Sequence, residues 1–305
     1  MSTTVSTAAP AEQIIKIHSA KPSFFGILRG EFFKIRHQWI TWIMLVLLLG
    51  VIVLPYIVEA TGPNIKTQLL TVPLHFFYNQ MSISLAVLRV FTGIFLLIVT
   101  ATAIGLEYQL GTICVLLARG VGRLQLLSAK LLAVAIIALL LLVFGLLLNV
   151  LLTLALVSGL SGNLNALNSL TSTFWSDTWT YILSILLNMG VTILLATAMT
   201  VLFRSLSFGL SASLVWFPID NIGIIFLVLA FRITNQDFWR NISAYLLGPN
   251  LNTMASALTS GRAESIGAQP LVQVDGTHTV VVALVYAAIF AVVAIVLTWK
   301  RDVKE

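Results

Sequence analysis

Charge is what this sequence has least of. Asp, Glu, Lys and Arg together supply 9% of its 305 residues, against roughly 25% in soluble domains. A soluble fold of this size needs a polar surface that the chain has no residues to build. That excludes an ordinary cytosolic enzyme, a disordered protein and a secreted scaffold. Cysteine is nearly absent: Cys114 stands alone, so neither an internal disulfide nor a cysteine metal cluster can form. The four histidines, His18, His37, His75 and His278, are scattered and none falls in the middle of an apolar run. A zinc-protease or haem site is therefore not expected, and no metal-ligand set is assigned. No glycine is followed by lysine, so the phosphate loop of a nucleotide-binding domain is missing. Neither HExxH nor GxSxG occurs. Leu160-Ser161-Gly162-Asn163 faintly resembles an ATPase signature, but no nucleotide-binding fold surrounds it.

What the chain does have is apolar length. Hydrophobic residues make up 59% of it, and the mean hydropathy is +1.01. A bilayer core of ~30 Å takes about 20 apolar residues in helix. Six stretches qualify: Trp39–Val58, Leu85–Gly105, Leu131–Val157, Trp179–Phe203, Phe208–Phe231 and Thr279–Trp299. Tryptophans and tyrosines stand at several of their ends, where amphipathic rings prefer the interface. Lipid offers no partner to a free backbone amide, so the fold class is all-α with six transmembrane helices.

The basic residues orient these spans. Lys16, Lys21, Arg29, Lys34, Arg36, Arg119, Arg123, Lys130, Arg204, Lys300, Arg301 and Lys304 fall on the side shared by both termini. Only Lys66, Arg89, Arg232, Arg240 and Arg262 fall on the other. The positive-inside rule then places both termini in the cytoplasm. Residues 1–22 read as a flexible cytoplasmic tail without a signal-peptide pattern, and residues 39–303 as the six-span domain.

Three other segments are informative. In residues 23–38, Phe24, Leu28, Phe32 and Ile35 share one helical face, while Arg29, Lys34 and Arg36 lie on the others and Glu31 and Phe33 are imperfect members. This predicts an interfacial amphipathic helix with its aromatic side in the acyl boundary and its basic side toward lipid headgroups; a plain basic flank that sets topology is the blander alternative. Residues 106–130 interleave Glu107, Arg119, Arg123 and Lys130 with Leu110, Ile113 and Leu117. Two short helices parted by Gly120-Val121-Gly122 fit that pattern, either as a docking element or as continuations of the neighbouring spans. Residues 232–278 contain a semi-apolar stretch, Ile242–Leu258, interrupted at Gly248-Pro249, where short re-entrant or interfacial helices are expected.

Asp220 is the carboxylate expected deepest in the membrane. It follows Pro218, which predicts a kinked or broken helix. Asp220 then either contacts a substrate or ion, or caps the second half of that helix. The small residues in Phe208-Gly209-Leu210-Ser211-Ala212-Ser213 read as a helix-packing seam.

Taken together, several segments resemble one family. They are the lead helix with Gly30-Glu31-Phe32-Phe33-Lys34, the span end Gly105-Leu106-Glu107-Tyr108-Gln109-Leu110-Gly111-Thr112, and the following Arg119-Gly120-Val121-Gly122-Arg123. The chain resembles the membrane subunit of an ATP-binding-cassette exporter of the second type, as in bacterial antibiotic- and bacitracin-resistance transporters, over roughly residues 24–303. The resemblance implies a permease in the bacterial plasma membrane with no enzyme activity of its own. Its implied partners are two copies of a separate ATPase subunit, a second permease copy (identical or not) and membrane lipids, with no nucleic acid. ATP and Mg would sit on the ATPase and no cofactor on this chain. Glu107, Gly111, Thr112, Arg119 and Arg123 would belong to the coupling segment, and Phe24, Leu28, Phe32, Lys34 and Arg36 to the connecting helix. The substrate would be amphipathic, lipid-like or antibiotic-like. A proton- or ion-coupled carrier centred on Asp220 and a non-transporting membrane scaffold are the alternatives.

Overall fold

Residues 23–300 are described by a computed structural model; the tail of residues 1–22 and the basic end at 301–305 lie outside them. Among the described residues there is no strand. Helix α1 (Phe24–His37) leads directly into α2 (Trp39–Thr61), and a short α3 (Ile65–Thr71) precedes the 37-residue α4 (Pro73–Gln109). Then come α5 (Thr112–Ala118), α6 (Arg123–Ser161), a 3₁₀ turn (Asn165–Ser169), α7 (Ser172–Phe203) and α8 (Leu206–Thr234). Two shorter helices, α9 (Asp237–Ser243) and α10 (Leu247–Leu258), precede α11 (Gly276–Lys300).

Helices α2, α4, α6, α7, α8 and α11 are the six long and apolar enough to cross a membrane, and each contains one predicted span. Several are longer than the apolar runs. Helix α4 starts at Pro73, a residue whose fixed φ suits a first turn, and runs ~55 Å at ~1.5 Å per residue. The run before Leu85 looks loop-like because it carries Gln80, Ser82 and Ser84. All three are buried in the bundle, so their polarity does not end the helix. The second short helix expected after Gly122 does not exist either. From Arg123 onward nothing breaks the helix, and those residues are the first turns of α6. Only α5 remains as a separate short helix, between Gly111 and Gly120, both at positive φ (+65° and +83°).

Helices α4 and α7 form the centre of the bundle and carry many of its buried side chains. Helix α8 lies outermost, with only Gly209, Ser213 and Ile224 buried. The predicted small-residue seam is where α8 meets α7. A Cβ on Gly209 would stand 2.6 Å from the Thr200 Cα, and one on Gly105 of α4 would stand 2.7 Å from the Leu206 Cα. Close backbone approach of this kind is how helices associate in lipid.

Proline 218 does not break α8, which is continuous across it. The interruption falls later, at residues 244–246 between α9 and α10, and Gly248-Pro249 lie in the first turn of α10. The backbone of this turn is held by protein groups, although the Tyr245 side chain is exposed. Asn250 Nδ2 donates to the Ala244 and Leu246 carbonyls at 2.7 Å each, and His278 Nε2 meets the Ala244 carbonyl at 2.8 Å. Irregular backbone inside a membrane protein needs such partners. Nearer the α6–α7 end, Arg262 holds Asp177 of α7 with two bonds, 2.6 and 2.9 Å, and Tyr78 of α4 donates to the same carboxylate at 2.8 Å. The segment after α10 is thereby pinned across α4 and α7.

The seam generates a prediction. Gly209→Ala forces a methyl against α7 backbone and should lower the thermal midpoint of the purified protein, as overpacking costs about 1–3 kcal/mol. Gly190→Ala on α7 meets nothing within 4 Å and should leave the midpoint unchanged or slightly raised. Equal midpoints for the two variants in detergent would show that the seam is not tight.

Candidate functional site

The end of the bundle where α4 runs into α5 brings four charges together. Glu31 comes from α1, Lys34 lies one turn further along the same helix, Glu107 is near the end of α4, and Lys130 lies in the second turn of α6. Lys130 Nζ is 2.7 Å from Glu31 Oε2 and 2.8 Å from Glu107 Oε1. Lys34 Nζ is 2.8 Å from Glu31 Oε1 and 2.6 Å from Glu107 Oε1. Lys130 also donates to the Ala103 carbonyl at 2.8 Å. The two ammonium groups and two carboxylates sum to zero. Three of the side chains are almost wholly enclosed, Lys130 at 4%, Glu31 at 3% and Glu107 at 7% exposure, whereas Lys34 is 47% exposed.

Each member is held in place by its helix. Glu31 and Ile35, one turn apart, are the fully buried residues of α1. Phe24, Leu28 and Phe32 lie half-buried around them, and Leu28 and Phe32 pack on the apolar core of the bundle. This corrects the reading of α1 as a helix with that face in the acyl boundary: the face rests on α6 and α4. The aromatics left exposed are Phe25 and Phe33. The reason is Glu31. A carboxylate at the centre of the apolar face is met by Lys130 from inside the bundle, so the face turns inward. Arg36 stays exposed, and its carbonyl accepts the Trp42 indole N–H at 2.8 Å.

Burial of the Lys34 ammonium opposes its charge, yet its hydrogen bonds to Glu107 and then Glu31 outweigh that and hold it above the usual lysine range. The folded value exceeds the unfolded one, so this contribution is complete at neutral pH. It is lost only as pH rises past the ordinary lysine pKa.

Next to the four charges is a cavity of about 420 Å³ bounded by α1, α4 and α5, with Ile35, Gln38, Leu106, Leu110, Val115 and Leu116 in its wall. Glu107 Oε2 and Gln38 Oε1 are buried there without a hydrogen-bond partner among the described residues.

The residues expected to form the coupling segment do not all gather here. Gly111 provides the left-handed turn that ends α4, and Thr112 opens α5. Arg119 is exposed at the far end of α5. Arg123 is set apart from it and donates to the Trp299 carbonyl at 3.4 Å, tying the start of α6 to the end of α11. The predicted ridge of Leu110, Ile113 and Leu117 is divided. Ile113 and Leu117 face a small crevice against Tyr108 and Leu126, while Leu110 and Val115 are exposed. Lys130 and Glu31, which complete the cluster, were not assigned a site role from the sequence. Their pairing joins residues far apart in the chain, and no local pattern reports it.

A second polar centre lies in the middle of the bundle. The Asp220 carboxylate accepts the backbone N–H of Gly248. It therefore caps a helix, as one of its two expected roles proposed, but the helix is α10 rather than the second half of α8. Glycine suits position 248, since a Cβ would stand 3.0 Å from Asn221 Nδ2 and 3.2 Å from Asp220 Oδ2. Asn252 Nδ2 donates to Asn221 Oδ1 at 2.8 Å. Arg89 joins the same group of side chains from α4. It lies well inside that helix rather than in its first turn, and it is buried. The sequence held a signal for it, because Arg89 is the lone charge between Lys66 and Glu107.

A family model described as ABC-2 family transporter protein matches residues 27–220. The matched stretch begins within α1 and ends within α8, so it spans the four-charge cluster, Arg89 and Asp220. A search of curated proteins returned no match.

Two outcomes are expected of this geometry. Lys130→Met leaves two buried carboxylates facing one half-exposed lysine, and should lower stability by about 3–5 kcal/mol; Lys34→Met should lower it by clearly less. Combining Lys130→Met with Glu31→Gln should recover part of the loss, and denaturant titration of the purified permease checks the cycle. Strict additivity would mean that the two residues do not interact. For Asp220, the Asn variant keeps an acceptor and should hold the thermal midpoint, whereas Asp220→Leu removes the cap of α10 at about 0.5–2 kcal/mol. An Asn variant that is stable yet transports nothing would show that the carboxylate does more than cap.

Proposed function

The chain belongs to the ABC-2 transporter family and is the permease subunit of an ABC transporter, and on that premise we propose that α5 is the element through which a separate ATPase subunit drives it. The observation that supports this reading is mechanical. Helix α5 is short, exposes Val115, has exposed Leu110 and Arg119 just beyond its two ends, and is flanked by Gly111 and Gly120. At its α4 end stands Glu107, bonded to α1 and α6. A push on α5 is therefore passed to three helices at once through charge-assisted bonds, which are short and direction-dependent.

In this reading α5 and the Glu107 cavity face the cytoplasm together with both termini, in a bacterial plasma membrane. The spans alone lack a phosphate loop, so ATP and Mg are held by two copies of the ATPase. ATP-driven closure of that dimer displaces α5; Glu107 and Lys130 shift with it, and α4, at the centre of the bundle, moves against α7 and α8. A second permease copy, identical or not, completes the pathway against the outer helices. The direction is export, and the cargo is an amphipathic, lipid-like or antibiotic-like molecule. A carrier built around Asp220 is disfavoured because that carboxylate is engaged by the α10 amide.

The test is substrate-stimulated ATP turnover of permease plus ATPase in nanodiscs, beside the fraction of ATPase retained on the permease. Glu107→Ala and Arg119→Ala should leave insertion intact and each lower stimulation at least tenfold: Arg119→Ala truncates a charge offered to the ATPase, at about 2–5 kcal/mol, and Glu107→Ala cuts the bonds to Lys34 and Lys130 through which the push is passed. Full stimulation and full retention in the double variant would place the docking surface elsewhere, with Arg204 at the α7–α8 turn next in line.

A further inference from the structure

Arg89 is buried, at 3% exposure, and no carboxylate pairs with it among the described residues. It hydrogen-bonds only neutral oxygens: the Leu251 carbonyl, Asn252 Oδ1 at 2.9 Å and the Ile266 carbonyl at 3.5 Å. A guanidinium has five N–H donors, so part of its capacity is unused. Across from it on α7 is Asn188, 7% exposed, whose side-chain amide makes no hydrogen bond among the described residues. Both line a cavity of about 330 Å³ whose other walls, from α4, α8 and α10, are mostly apolar, with Ile94, Leu97, Leu214 and Phe217 among them.

The depth of this cavity follows from helix length. Gly105 touches Leu206, just past the α7–α8 turn, and that level serves as a common origin. Arg89 is about 24 Å along α4 from Gly105, and Asn188 about 22 Å along α7 from Phe203, at ~1.5 Å per residue. In a hydrocarbon core of ~30 Å counted from that level, the cavity lies past the midplane, about 6–8 Å short of the opposite face. A buried cation within the membrane span and without a counter-charge marks a ligand position. The planar fork of arginine matches carboxylate and phosphate, and an unused amide beside it adds donors for the same group. Apolar walls around a polar end suit a chain attached to an anionic head.

Resting on the transport reading above, we infer that this cavity receives the anionic head, phosphate or carboxylate, of an amphiphilic substrate, with Arg89 and Asn188 as its binding residues. Cationic amphiphiles of the same chain length are rejected by the same charge.

The experiment uses the full-length permease in phosphatidylcholine nanodiscs with radiolabelled dodecyl phosphate as probe. Saturable binding is expected, with competition by dodecanoate and none at equal concentration by dodecyltrimethylammonium or inorganic phosphate. Arg89→Gln and Asn188→Leu should each weaken binding at least tenfold, and Arg89→Lys by less. If Arg89→Gln fails to fold by gel filtration, Asn188→Leu decides. Absence of saturable binding, or unchanged affinity in the variants, overturns the inference. Equal competition by the ammonium amphiphile overturns the charge selection, and equal competition by inorganic phosphate overturns the amphiphile in favour of a free anion. Retention of the ATPase subunit is scored on the same samples. Retention without probe binding sinks the site alone, whereas failure of the wild-type permease to retain any ATPase sinks the transport reading.

Discussion

A charge or a free backbone amide inside lipid can be answered only by the protein itself, and this constraint shapes each unusual feature of the molecule. Glu31 draws α1 onto the bundle because Lys130 of α6 is there to meet it. The turn between α9 and α10 is closed by Asn250, His278 and Asp220, each matched to a particular backbone group. Arg262 and Tyr78 converge on Asp177. Apolar packing gathers the long helices, but it is directionless. Polar pairs settle which helix meets which, and at what height.

The molecule consequently has two polar regions with different characters. The cluster around Glu107 is neutral in sum, tightly bonded and attached to an exposed short helix, which are properties of a mechanical joint. The region around Arg89 has a guanidinium without a directly paired carboxylate, unused donors and space beside it, which are properties of a receptor. Helix α4 carries a member of each, Glu107 near its end and Arg89 well inside it. A displacement that begins at α5 can reach the second region without leaving that one rigid element.

Much of this architecture was legible in the sequence, and the exceptions share a cause. Apolar runs report spans directly, so all six helices and the lead helix were found. Their ends were misjudged wherever polar residues such as Gln80, Ser82 and Ser84 are buried, because composition alone does not tell a buried serine from a loop serine. Helix α3, seven residues long, offers too little periodicity to be recognised. Proline 218 predicts a kinked or broken helix because a proline removes one helix bond, yet α8 is not broken and continues on both sides of it. Asp220 and Glu107 were singled out as carboxylates near or within the membrane. Their partners Gly248 and Lys130 lie on other helices, and no pattern within one segment points to them.

The turn between α7 and α8 has a consequence for how the bundle bears lateral force. The two helices touch closely at Thr200 and Gly209, beside the turn. Farther along, a cavity of about 330 Å³ and the first turns of α10 come between them. The pair thus opens like a compass, with its pivot at Arg204 and α10 lodged between the legs. Bilayer pressure closing the compass squeezes α10, and pressure opening it pulls against the Asp220–Gly248 bond.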